Sequence, residues 1–400
     1  MTTESFVWSQ VDTRGDMPPS GCCHSLVNYK DKYLIMFGGG SSQALSNHVY
    51  VFDLETEQWT LVETQNSEVV QPRLSHSAVI YGDKMIVYGG QDLHNPIIYG
   101  DLLELDLQTW TWTNLGDVPS EPHGPGERRL HSAHVYGDRM YVVLGDPGWN
   151  TPVWYLDLRD YTWHAVPVKG EALRNRRLSL SGHSSFAEGK HLYFFGGYSL
   201  LHSNRVLYSN ALYKMDLEDG VLEEVELSSL VRPPARYSAA LVVYDGRLYL
   251  FGGDANHDSV AVYYNDFWRI DLTCAHPCWE EVRQRSIHRD ACYPSARSGH
   301  ASCLAKNALY IMGGELPTRD DIHYSHALFR YPLGLSMHLT LKENALRALT
   351  SHGQVHCNQL PLPITLRGCL QRRFYSQELN EEGDGLNGLV EFGLLSSKCN

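Results

Sequence analysis

Six times along the 400-residue chain an apolar run ends at a glycine doublet or its remnant: Met36-Phe37-Gly38-Gly39, Val87-Tyr88-Gly89-Gly90, Val143-Leu144-Gly145, Phe194-Phe195-Gly196-Gly197, Leu250-Phe251-Gly252-Gly253 and Ile311-Met312-Gly313-Gly314. Successive doublets lie 51 to 61 residues apart, a spacing that suits one supersecondary unit per repeat. Upstream of each run come a Ser/His segment and a polar turn such as Tyr81-Gly82-Asp83-Lys84. Downstream, a further run closes on Asp-Leu at 53, 106, 157, 216 and 271. A tryptophan follows at Trp59, Trp112, Trp163 and Trp279, and Leu222 holds that slot in the fourth unit. Runs this short, rich in aromatic and β-branched residues and bounded by turn residues, predict strands. Each unit is expected to hold four of them, antiparallel and packed face to face with the next unit around an axis.

Glycine is needed where the second strand crowds its neighbours, and the tryptophan fills the space between adjacent sheets. Leu144 in place of a first glycine is expected to distort the third unit locally. A closed wheel needs its first and last units joined, because open edges expose unpaired amides. The sixth unit has a third strand, Ala327–Tyr331, but no Asp-Leu and no tryptophan after it. A spare strand with a tryptophan, Trp8, stands before the first unit, so residues 5–11 are predicted to complete the sixth blade. The fold class is all-β: a six-bladed propeller closed by its N-terminal strand and followed by a short C-terminal helical segment.

Beyond Leu333 the period changes. Leu341, Ala345, Ala348 and Leu349 fall at i, i+4, i+7 and i+8, one face of a helix. Thr340 offers an N-cap hydroxyl, with Glu343 three residues on as in a capping box. A second apolar segment runs from Gln359 to Leu370. Residues 376–400 hold four glycines and five acidic residues against one lysine and are expected to lack fixed structure. The divisions read from the pattern are 1–335, 336–375 and 376–400.

Hydrophobic residues at 43% support a sizeable core, and the formal net charge of −13 argues against a general nucleic-acid surface. The N-terminus lacks the basic and apolar regions of a signal peptide, and no apolar run reaches membrane-spanning length. Nine irregularly spaced cysteines suit reduced thiols and a cytoplasmic or nuclear location. Cys274 and Cys278 lack a second pair at zinc spacing and read as a turn with free thiols. No catalytic residue, metal or cofactor is expected, and neither nucleic acid nor membrane is expected as a partner.

The repeated motifs over residues 5 to about 332 resemble a kelch-repeat propeller. The resemblance implies a shallow binding bowl, made by the turns entering each innermost strand and the loops after each doublet. Arg73, Arg128, Arg236 and Arg297 stand at equivalent places, three residues before the His/Ser position. They are candidate grips for a peptide carboxylate; the alternative is that each only ties adjacent blades through backbone carbonyls. Loop candidates include Gln91, Asp146, Trp149, Tyr198, His257 and Glu315. His24, His76, His131, His183 and His300 recur with the repeat and read as structural. Glu315, Asp320, Asp321, His323 and His326 lack the fixed spacing of a metal site.

Thr340-Leu341, Ala345 and Leu349 are similar to the elongin-binding BC box, with Ala345 in place of the usual cysteine. Leu360, Pro361 and Ile364 are similar to the cullin box that follows it. Kelch wheel, BC box and cullin box in this order resemble the kelch domain-containing substrate receptors of cullin-RING ubiquitin ligases. The resemblance implies a non-catalytic subunit that binds C-terminal degrons in its bowl and elongin B, elongin C and a cullin-RING scaffold through its C-terminal helices. A kelch interaction scaffold with no ligase role is the other reading.

Overall fold

A computed structural model describes residues 7–147, 152–170, 180–200, 205–257, 260–283, 293–317 and 322–333. The BC-box-like and cullin-box-like segments and the acidic tail lie outside the described residues. Within them stand six antiparallel sheets, the blades of a propeller. In the first blade the innermost strand is Ser25–Tyr29, followed outward by Tyr33–Phe37, Val49–Asp53 and Gln58–Val62. Every blade's second strand is almost wholly buried, because neighbouring blades cover both its faces; Leu34, Ile86, Val142, Leu192, Leu250 and Ile311 have 1% exposure or less. These apolar layers join one blade to the next, as where Phe37 of the first blade packs with Val87 and Trp112 of the second.

Closure uses both ends of the wheel. Ser9–Gln10 pairs with Arg330 and Phe329 as the outermost strand of blade six. Trp8 is buried there, its ring 5.2–5.3 Å from Phe251, Phe267 and Tyr331. The chain then crosses to blade one, where Arg14–Gly15 runs parallel to Gln58–Trp59. Gln65 with Thr111 and Lys169 with Val221 make the same parallel contact at other blade junctions. The N-terminal segment thus reproduces an ordinary blade-to-blade connection, supplied from the far end of the chain.

Around the axis the innermost strands are tied by a closed circuit of six backbone hydrogen bonds. Cys23 donates to Gly299 (2.7 Å), Gly299 to Ser238 (3.2 Å), Ser238 to Gly182 (2.8 Å), Gly182 to Leu130 (2.9 Å), Leu130 to Ser75 (3.0 Å) and Ser75 back to Cys23 (3.0 Å). All six residues have φ between 51° and 64°, a left-handed turn that aims each N–H along the circuit.

The glycine requirement has an identifiable cause. A Cβ on Gly89 would lie 2.3 Å from the backbone oxygen of Arg128 in the next blade, and one on Gly38 would lie 2.8 Å from that of Arg73. Leu144 departs from the expected distortion. It takes φ 54°, like the glycines, its side chain is buried, and Arg139–Val143 keeps a full five-residue ladder with the strands on both sides. The next unit carries Leu180 where most carry arginine.

The histidines seal blade interfaces. Nε2 of His76, His131 and His183 meets the hydroxyl of Ser25, Ser77 and Ser132 in the preceding blade at 3.0, 2.8 and 2.9 Å. Alanine stands at the equivalent positions 240 and 301, so His300 and His24 lack the serine hydroxyl that the other histidines meet. Burial holds the imidazoles neutral: His24 and His183 are pushed down to about 4, and His76 and His300 to about 3.

Candidate functional site

Strand pairing decides which face can bind. Ser25 lies opposite Phe37, Phe37 opposite Val49 and Val49 opposite Val62. The start of the innermost strand, the loop after the glycines and the connection to the next blade therefore share one face. Six backbone bridges form its floor beside the axial circuit: Cys22 with Gly40, Leu74 with Gln91, Arg129 with Asp146, Ser181 with Tyr198, Tyr237 with Asp254, and Ser298 with Glu315.

The four candidate arginines do not line this floor. Arg73, Arg128, Arg236 and Arg297 are at most 2% exposed. Each donates from Nη1 to the carbonyl of the first doublet position in its own blade, at 3.0 Å to Gly89, 2.9 Å to Leu144, 2.9 Å to Gly252 and 2.8 Å to Gly313. Their own carbonyls accept the second-glycine N–H of the preceding blade, as Arg73 does from Gly39 and Arg236 from Gly197, both at 2.8 Å. Arg73 and Arg236 also fork onto Asp101 and Asp266 at 2.6–2.8 Å. Tyr99 and Tyr264 cover those two guanidiniums at 4.4 and 4.0 Å. The carboxylate-gripping role is therefore corrected: these are buried staples within and between blades, with Nη1 of each engaged inside the wall.

Of the other candidates, the floor brings together Gln91, Asp146, Tyr198 and Glu315. Tyr198 packs on Tyr237, ring centres 5.4 Å apart, and Tyr208 lies 5.8 Å from Tyr237. The backbone of His257 pairs with Val260 in a hairpin; its side chain, with Trp149, Leu341, Ala345, Leu349, Leu360, Pro361 and Ile364, lies outside the described residues. Asp320 and Asp321 do too. In that loop cluster His326 Nδ1 meets Ser20 Oγ at 3.0 Å, and Glu315 accepts from Cys22 and Tyr263.

Charge on the floor is opposite to what a ring of carboxylate-gripping arginines would give. Its cation is Arg129, held by Asp146 at 2.6–2.8 Å and bonded to Gln91. Two carboxylates stand across from it. Asp254, only 4% exposed, accepts from Ser298 Oγ, and burial pushes its carboxyl up to about 6. Glu315 accepts from Cys22 Sγ and Tyr263 Oη, both at 3.3 Å. The Cys22 thiol is pushed upward by its bond to Cys23, by burial and by Glu315, and stays protonated.

The apolar rim was missed in the sequence. Hairpins after the doublets, Gln91–Ile98, Tyr198–Tyr208 and Asp254–Tyr263, carry Leu93, Ile97, Leu200, Leu207 and Val260 exposed on this face. Single exposed apolar residues need no explanation; their gathering on one face marks an interaction surface.

Comparison with known proteins agrees with this architecture. Residues 1–197 and 147–334 match the KLHDC2/KLHL20/DRC7 Kelch-repeats domain. The chain is 30% identical over 267 residues to acyl-CoA-binding domain-containing protein 5 of Arabidopsis thaliana, covering 64% of this chain and 38% of that one. It is 25% identical over 291 residues to kelch domain-containing protein 3 of Homo sapiens, covering 68% and 71%. To kelch domain-containing protein 10 of Xenopus tropicalis it is 26% identical over 292 residues, covering 70% and 68%. The chain thus spans well under half the length of the first of these relatives.

Proposed function

This chain belongs to the kelch-repeat family, and from that premise we propose that its floor and rim hold an extended segment of another protein, which the chain presents as the recognition subunit of a cullin-RING ubiquitin ligase. The observation that carries the binding half is the apolar rim above a polar, tyrosine-lined floor, a combination suited to peptide recognition. The ligase half is supported by the order of parts: a kelch wheel, then the BC-box-like Leu341, Ala345 and Leu349, then the cullin-box-like Leu360, Pro361 and Ile364. The chain's role is to bind and position; the chemistry of transfer belongs to the ligase.

Co-expression with elongin B and elongin C tests the ligase half. The wild-type chain is expected to co-purify with both, and Leu341→Arg to abolish the association without moving the thermal midpoint of the propeller. A soluble, folded wild-type chain that retains no elongin leaves a kelch interaction scaffold. A free C-terminal carboxylate is the ligand group this reading brings to Arg129. Peptides should then bind more weakly when amidated, and equal binding of both forms removes the terminus from the proposal while leaving the bowl.

A further inference from the structure

The two sides of the floor are electrically unlike. On one side Arg129 and Asp146 neutralise each other. On the other, Asp254 and Glu315 sit at neighbouring bridges of blades five and six with no cation against either among the described residues. Four other buried or half-buried carboxylates have one: Asp101 has Arg73, Asp266 has Arg236, Glu104 has Lys84 and Asp157 has Arg159, whereas Asp53, Asp92 and Asp106 accept backbone N–H groups of their own turns. The partners are instead hydroxyls and a thiol: Ser298 and Tyr237 on Asp254, Tyr263 and Cys22 on Glu315. These fix the carboxylates without cancelling their charge.

A carboxylate as buried as Asp254 without a counter-charge is costly, and a cation brought to it by a partner recovers much of that cost. The same wall presents the aromatic rings of Tyr237 and Tyr263, whose faces attract cations. The exposed Val260 stands in the hairpin that carries Asp254 and Tyr263.

We infer that this wall selects its partner: Asp254 and Glu315 take the side chain of a lysine or arginine in the bound protein segment, while an apolar neighbour of that residue rests on the rim at Val260. The inference rests on the reading of the face as a protein-binding bowl and adds the class of segment bound. It concerns a basic residue within the segment, on the wall opposite Arg129.

Selection from a randomised ten-residue peptide library on the immobilised full chain tests it. On the wild type, lysine or arginine should be enriched at least tenfold over glutamate at one position, with apolar residues beside it. Glu315→Gln should reduce that enrichment to threefold or less, and Glu315→Lys should turn it toward acidic residues, with thermal midpoints unchanged. If either variant fails to fold, Asp254→Asn supplies the same comparison. Retained peptides with no basic preference, or a basic preference identical in all variants, overturn the inference and leave the bowl intact. Retention of no peptide by the folded wild type overturns the bowl and the inference with it.

Discussion

Arg236→Ala should cost the propeller ~3–5 kcal/mol, the usual penalty for breaking a buried ion pair by removing one partner. The guanidinium is fully buried, forked onto Asp266 at 2.6 and 2.7 Å, bonded to the carbonyls of Gly252 and Pro234, and covered by Tyr264. Its loss leaves Asp266 with Trp268 Nε1 at 2.7 Å but no opposite charge, and leaves the Gly252 carbonyl without that donor. Arg236→Lys keeps the charge but loses the fork, and should fall between wild type and alanine. Urea unfolding followed by tryptophan fluorescence measures both. A variant within about 1 kcal/mol of wild type that loses only peptide binding would return Arg236 to a ligand role.

Acid should unfold the wheel before most of its carboxylates titrate. His24, His76, His134, His183 and His300 are pushed down to about 3 or 4 from an ordinary 6.5, chiefly by burial, and His131 is pushed well below it for the same reason. They are neutral in the fold, whereas the unfolded chain takes up their protons below 6.5. The stability they contribute is complete above that pH and drains away as pH falls toward 4. Each histidine removes on the order of 1 kcal/mol between pH 7 and 5.5, so together they rival the whole stability of an ordinary domain. Asp254, raised to about 6, works in the opposite sense and offsets part of one histidine. Asp53, Asp106, Asp216 and Asp271 are lowered, Asp216 to about 2; their contribution is lost only below the ordinary carboxylate range of about 4. Urea midpoints should therefore fall steeply from pH 7 to 5. His24→Leu removes a side chain that meets no serine hydroxyl, and should flatten the profile by one proton. A midpoint that stays level to pH 5 contradicts the account.

The strands, the glycine doublets and the closure by Trp8 were legible because each repeats one local steric requirement, and six copies of a pattern average out its exceptions. The arginines were legible as a pattern but misread in role. Their spacing from the histidines says that they are equivalent, and says nothing about whether the side chain turns to the axis or into the wall. Asp101 and Asp266, at the start of third strands in the same units, were the signal that could have settled it. Leu144 was misjudged because a leucine in a left-handed turn normally carries a strain penalty, whereas here its side chain is buried in the neighbouring apolar layer. The rim was hidden because an apolar residue in a polar loop reads as filler until hairpin geometry shows that Leu200, Leu207 and Val260 stand outward together. The floor's acidity was hidden because Asp254 and Glu315 are far apart in sequence and meet only when blades five and six lie side by side.

The claim that this face, and no other, holds a partner segment is tested most directly by placing a charge on it. Leu200→Asp and Val260→Asp alter the rim, and Val221→Asp alters an exposed apolar residue at the opposite end of a blade. With a peptide selected on the wild-type chain, the account predicts at least a tenfold loss of affinity for each rim variant, unchanged thermal midpoints and no loss for Val221→Asp. Full affinity in both rim variants, with loss in Val221→Asp, would contradict it.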